Sequence, residues 1–348
     1  MTLSRYDIRQ SYQWNYDHAP APVDVVVPTV PGEWTYCGRP IGAPLSVAAG
    51  PLLNGRWCLY YASLGFDVVT YKTVRSGERP CFSLPNLQPV QAPTMEGGEQ
   101  NLQAVETFAG SWAISFGMPS KSPTTWRDDV AETRRQLPPE KLLSVSVVGT
   151  IEPGWSLEQL ADDYALCARQ AAESGADSVE INLSCPNVAT CDSQLYQLPH
   201  DAALVARRVR QAIGPVPLVA KIGHFNDTAL LPAVVDNLAA HVDAIATTNC
   251  VAATVVDAAG RGQFHNQPRG IGGRAILEAS LRQTESIANH TTLHSLPLRV
   301  IGVGGIFTAD DLQRYLAAGA EAVQLATAVM IDPEVGLRIR TELGGFAG

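Results

Sequence analysis

The chain has 348 residues, 46% hydrophobic and 17% charged, with 25 Lys and Arg against 34 Asp and Glu for a formal net charge of −9. Such a composition builds a well-buried core, and the negative balance argues against a nucleic-acid or anionic-membrane surface. No run of 18 apolar residues is present, so no spanning helix is expected; seven scattered cysteines without a CxxC pair fit free thiols in a reducing cytoplasm, not metal ligation.

The opening stretch, MTLSRYDIRQSYQWNYDHAPAP, lacks the apolar core of a secretory signal. Its Tyr and Trp residues suit packing on a partner subunit or a loosely held arm. VDVVVPTVPGEWTYCGRPIG follows and reads as a β-hairpin able to plug a barrel floor, so residues 1–44 form an extension. Short β-branched runs then recur at 45–50 (LSVAAG), 67–73 (DVVTYKT), 142–150 (LLSVSVVGT), 178–185 (SVEINLSC), 216–223 (VPLVAKIG), 244–250 (AIATTNC), 298–305 (LRVIGVGG) and 322–329 (AVQLATAV). Helical patterns separate several of them, as at 156–175, 199–214 and 308–320, often stopping at Gly before the next strand. Strand alternating with helix predicts a parallel sheet, and eight such strands predict a closed (β/α)8 TIM barrel over residues 45–348 more economically than an open doubly wound sheet. The gap between the second and third strands, about 74–141, is long for a βα loop; its Pro- and Gly-rich SGERPCFSLPNLQPVQAPTMEGGEQ suits a lid and not a buried core.

Chemistry in such barrels sits at the C-terminal strand ends. The polar and Gly-rich residues fall there: Ala48, Ala49 and Gly50; Lys72; Asn182 to Asn187; Lys221; Asn249; Gly304 and Gly305; Ala326 and Thr327. The glycine pair, followed by a helix that Thr308 and Asp311 cap reciprocally, reads with Ala326 and Thr327 as a phosphate site. Lys72 and Lys221 interrupt apolar runs, and a lysine inside a barrel must find a partner or lose its charge; either could form a Schiff base or hold an anionic ring. In SVEINLSC, Glu180, Asn182 and Ser184 share the inward face and Cys185 stands at the strand mouth, where nearby lysines favour thiolate.

INLSCPNV, VAKIG, ATTNC, RGIGG and IGVGGIFTADDLQRYLAAGAEAVQLATAV, in this order over about residues 42 to 332, resemble the dihydroorotate dehydrogenases. The resemblance implies an FMN-dependent barrel that oxidises dihydroorotate to orotate in pyrimidine synthesis. A cysteine base marks the soluble class 1 members, so Cys185 would take the proton. Asn182, Asn187 and Asn249 would bind the substrate ring, with Lys72 between substrate and flavin and Lys221 at the flavin N1/O2 edge. Ala48, Ala49, Gly50, Thr73, Asn182 and Thr248 would contact the flavin, and Gly304, Gly305, Ala326 and Thr327 its phosphate. Gly272 and Gly273 match a flavin-site turn. A cytoplasmic homodimer with a small-molecule substrate and no metal is implied, the electron acceptor staying open.

One departure bears on substrate. Where the family has N-S-M-G-L-P-N, this chain has ISFGMPS, with Ile114 in place of a substrate-binding asparagine. An alkyl group leaves a polar substrate atom unpaired, so the expectation is dihydroorotate or a related cyclic amide or carbonyl compound. The alternatives are a sugar-phosphate enzyme using Lys72 or Lys221 as a Schiff-base amine and a flavin-binding protein that has lost turnover.

Overall fold

The computed structural model describes residues 3–184 and 195–344. Helix α1 (Tyr12–Asp17) begins at Ser11, whose hydroxyl accepts the Trp14 N–H. The segment around it lies on its own barrel: Tyr6 and Tyr12 pack edge-on against Phe116, Trp57 Nε1 donates to Asn15 O at 3.0 Å, and Tyr60 Oη donates to Ser4 O at 2.7 Å. The segment is not a loosely held arm, because Tyr6, Tyr12 and the backbone around them find partners within the same chain. Strands β1 (Trp34–Tyr36) and β2 (Arg39–Ile41) form the expected hairpin. Tyr36 is fully buried with Val68, Val219 and Ile301, which places the hairpin as a plug. The Glu321 carboxylate fastens it, accepting from the Cys37 and Gly38 N–H groups at 2.9 and 3.0 Å.

The chain continues through β3 (Leu45–Val47), α2 (Gly55–Ser63) and β4 (Val68–Val74). Strands β5 (Leu87–Gln91), β6 (Leu102–Ala104) and β7 (Ser111–Ile114) occupy the long gap, which α3 (Pro123–Gln136) closes. Next come β8 (Leu142–Val147), α4 (Leu157–Glu173), β9 (Ser178–Asn182), α5 (Pro199–Ile213), β10 (Leu218–Lys221), α6 (Leu231–Ala239) and β11 (Ala244–Thr247). Three short strands follow, β12 (Val251–Ala253), β13 (Val255–Val256) and β14 (Arg269–Gly273), before α7 (Leu277–Leu293). The last elements are β15 (Arg299–Val303), α8 (Ala309–Ala317), β16 (Ala322–Leu325), α9 (Thr327–Ile331) and α10 (Val335–Gly344).

Strands β3, β4, β8, β9, β10, β11, β15 and β16 close into one parallel barrel, as expected. Side-chain alternation splits each strand between lumen and helices. The outward set, including Val69, Val145, Ile181 and Val323, joins the main core under the helices. The lumen is unequal along its axis: Val68, Leu142, Val219 and Ile301 fill the side toward the hairpin, whereas the side toward the rim turns in Thr70, Lys72, Ser144, Ser146, Glu180, Asn182, Lys221 and Gln324. Barrel interiors are ordinarily filled by branched aliphatics. The polar side therefore marks where a ligand or an internal network is accommodated.

The long insertion departs from its expectation. Its strands β5 to β7 combine with β12 to β14 into a six-stranded sheet, with its own apolar core including Val90, Met95, Ala113, Val251 and Ile271. It is a lid, but one with a buried interior. The sequence hid this because half the sheet comes from another stretch, residues 251–273, where β12 pairs with β14 but β14 and β13 join the sheet only through the distant β7 and β6.

Candidate active site

A cavity of about 890 Å3, its open mouth included, lies between the C-terminal rim of the barrel and this lid. Rim residues Ala48, Ala49, Gly50, Lys72, Thr73, Asn182, Lys221, Asn249, Ala326 and Thr327 all line it, so the sequence-expected set converges. Lys72 projects inward on β4 and is buried. Asn182 and Lys221 are register neighbours on β9 and β10. Asn182 Oδ1 accepts the Ser184 N–H at 3.1 Å, and Asn249 Nδ2 donates to Ser184 O and Oγ at 2.8 and 3.1 Å. These bonds fix the end of β9 against β11. Cys185 and Asn187, expected as base and substrate ligand, lie outside the described residues.

Beneath them sits a buried polar ring. Lys221 Nζ donates to Gln324 Oε1 at 2.9 Å, Gln324 Nε2 donates to Glu180 Oε2 at 3.0 Å, and Glu180 Oε1 lies 3.8 Å from Lys221 Nζ. The lid supplies the opposite, apolar wall through Leu87, Trp112, Ile114, Phe116 and Met118. Of these only Ile114 was singled out from the sequence. The signal was nevertheless present, because Trp112, Ile114, Phe116 and Met118 alternate in SWAISFGM and so share one face of an extended chain.

A second cavity of about 360 Å3, its open mouth included, adjoins the first, sharing Ile114, Asn249, Val303, Ala326 and Thr327, and brings in Gly272, Gly273, Gly304 and Gly305. Gly304 and Gly305 have φ of +120° and +73°; a Cβ on Gly305 would stand 2.7 Å from the Leu277 backbone. Only glycine fits there, and it leaves main-chain N–H groups accessible at a bend, an arrangement suited to an anion. Gly272 and Gly273 belong to β14 and not to a turn, held in register with Trp112 and Ser111. Thr248 lines neither cavity; it is buried behind the wall, its hydroxyl 3.1 Å from that of Thr247. The capping box at Thr308 and Asp311 forms as expected. Burial pushes the Asp311 carboxyl up, but the Arg274 guanidinium and the Phe307 N–H outweigh it and leave the carboxyl below its usual range.

The lid tip is latched to the barrel where His224 Nε2 meets Glu96 O at 2.9 Å and Arg282 pairs with Glu96. A carbonyl partner requires Nε2 to carry the proton, and burial lowers the ring's pKa from its ordinary 6.5, with Arg282 adding to that and Glu96 and Glu99 opposing it. The folded state thus favours the neutral ring. Its contribution is complete above about pH 6.5 and is lost as pH falls through the lowered folded value. Thermal melts at pH 7.5 and 5.0 should show a larger loss on acidification in the parent protein than in His224→Gln; parallel losses would remove His224 from the latch.

Among the described residues no helix is long and apolar enough to cross a membrane, and no cluster of His, Cys, Asp and Glu could hold a metal. A family model described as dihydroorotate dehydrogenase matches residues 33–346. A dihydroorotate dehydrogenase of Dictyostelium discoideum is 28% identical, the match covering 96% of this chain and 95% of that protein. The catalytic subunit of dihydroorotate dehydrogenase B (NAD(+)) of Maridesulfovibrio salexigens is 30% identical over 55% of this chain and 64% of its own. The ligand-free DHODH of Eimeria tenella superposes with a TM-score of 0.75 at 18% identity, covering 95% of this chain and 91% of that one.

Proposed function

The chain belongs to the dihydroorotate dehydrogenase family, and from that premise we propose that it is an FMN-dependent oxidoreductase acting on a CH–CH bond of dihydroorotate or a related cyclic amide. The observation that carries this reading is the pair of adjoining cavities, a broad one under the lid and a narrow one lined by glycines of which Gly273 and Gly305 leave no room for a Cβ. They fit the two parts of FMN, a wide ring and a phosphate. Bound there, FMN would supply the hydride acceptor.

The rest of the chemistry is assigned to the chain. Gly304, Gly305, Ala326 and Thr327 would hold the phosphate through main-chain and hydroxyl donors, with Gly272 and Gly273 lining the same narrow cavity. Ala48, Ala49, Gly50 and Thr73 pack along the ring. Lys221 would offer its ammonium to the ring, which gains negative charge on reduction. Asn182, Asn187, Asn249 and Lys72 orient the substrate, and Cys185 removes the proton while the neighbouring carbon gives up its hydride. The Schiff-base alternative finds little support at Lys221, because the 3.8 Å approach of the Glu180 carboxylate and the bond to Gln324 suit an ammonium, which has no lone pair for attack.

Ile114 supports a substrate related to dihydroorotate: it stands in a wall with Trp112, Phe116 and Met118, where a polar ring substituent meets no donor. The test is a visible spectrum of the purified protein followed by anaerobic titration with dihydroorotate, dihydrouracil and dihydrothymine. A flavin band bleached by one of them is expected. A protein that takes up no FMN, or whose flavin none of the three reduces, defeats the proposal.

A further inference from the structure

Glu180 is a fully buried carboxylate on the cavity floor, and neither the proton nor the hydride transfer proposed above uses it. Burying a carboxylate is costly unless it is paired and hydrogen-bonded. Other inward positions of the lumen are satisfied by Val219, Ala246 and Ile301, so filling the barrel does not by itself call for an acid. The acid's contacts are specific. Oε2 accepts from Gln324 Nε2, whose amide is thereby oriented with Oε1 toward Lys221 Nζ, while Tyr36 Oη lies 3.3 Å from the same Nε2. Among the described residues Oε1 has no hydrogen-bond donor, and the Lys221 charge stands 3.8 Å from it.

We infer that Glu180 is a positioning residue that, with Gln324, holds Lys221 in place and offsets part of its positive charge beneath the bound ring. The inference rests on the FMN reading. An uncompensated ammonium there would stabilise the electron-rich form of the ring strongly and make it slow to pass its electrons on. Sharing the ammonium with a carboxylate moderates this while keeping a donor in place. In a site of reduced dielectric, one unit charge several Å away changes such an equilibrium by at least about tenfold.

The experiment is a sulfite titration of the FMN-loaded protein followed by flavin absorbance, because sulfite adds to the ring and places negative charge on it. Glu180→Gln keeps the shape and the contact with Gln324 but removes the charge; sulfite should bind at least about tenfold more tightly. Glu180→Asp, which keeps the charge, should stay within about threefold of the parent. If Glu180→Gln fails to fold or to retain FMN, Glu180→Met removes the same charge without a buried amide, and sulfite should again bind at least about tenfold more tightly. A lost acid that merely loosened the fold would lower the melting temperature without tightening sulfite. Tightly held FMN with parental sulfite affinity in the charge-changing variants overturns this inference alone. A parent protein that takes up no FMN overturns the flavin reading and this inference together.

Discussion

Cys185→Ala is expected to slow the reduction of the FMN-loaded protein by its reducing substrate about 10²–10⁴-fold, the range that a positioned general base contributes. FMN content should change little, because none of the residues assigned to the flavin phosphate is altered. The strand leading to it is well anchored: Glu180, Asn182 and Ser184 face inward in turn, and Ser184 is tied to both Asn182 and Asn249. A thiol with an ordinary pKa near 8.5 can be drawn toward thiolate beside lysine charge. A serine hydroxyl is far less acidic, so Cys185→Ser should also be slow. Anaerobic single-turnover mixing with the substrate found by titration measures the step directly. Parental rates in both variants would show that the proton leaves to another group.

Asp67→Ala should cost about 3–5 kcal/mol of folding stability, the usual loss when one partner of a buried ion cluster is removed. Asp67 opens β4 and is buried, with Lys141 Nζ at 3.0 Å and the Arg340 guanidinium paired to its other oxygen. Lys141 also donates to Phe66 O at 2.9 Å and Arg340 to Pro28 O at 2.9 Å. One carboxylate therefore joins the entry to β4 with that of β8, the last helix and the N-terminal extension. Burial lowers the Arg340 pKa, and Asp67 is the group that opposes this; without it the cation stays enclosed with only carbonyl partners. Urea unfolding of the two proteins reads the difference, and Asp67→Ala combined with Arg340→Met should regain part of it. A loss below about 1 kcal/mol would mean that water screens the cluster as at a surface pair.

The eight barrel strands were legible in the chain because a buried parallel strand writes itself as a short β-branched run, and their C-terminal ends were legible as the points where Lys72, Asn182, Lys221 and Asn249 break those runs. The glycine-lined bend was legible in the same way, since Gly304 and Gly305 stand together at a strand end. The inward face of SVEIN followed from alternation alone. Less visible was everything that needs two distant segments. Val251–Ala253 and Arg269–Gly273 pair with each other, but they join the lid sheet only because Ser111–Ile114 lies between its other strands and β14. The first twenty residues were ambiguous because exposed-looking aromatics carry no mark of which surface they will cover; Phe116 and Trp57 decide it.

The linear order of residues thus determined the barrel, its rim and the family of chemistry, since each depends on patterns a few residues long: period-two alternation, a glycine pair, a cysteine after a polar column. The tertiary structure alone decided the balance of charge under that rim. Glu180, Lys221 and Gln324 are separated by up to 144 positions, and the strength of an electrostatic contact depends on distance and dielectric, neither of which a sequence states. It likewise decided that Ile114 would stand in a wall of aromatic and aliphatic side chains, which turns one substitution into a statement about what the cavity accepts.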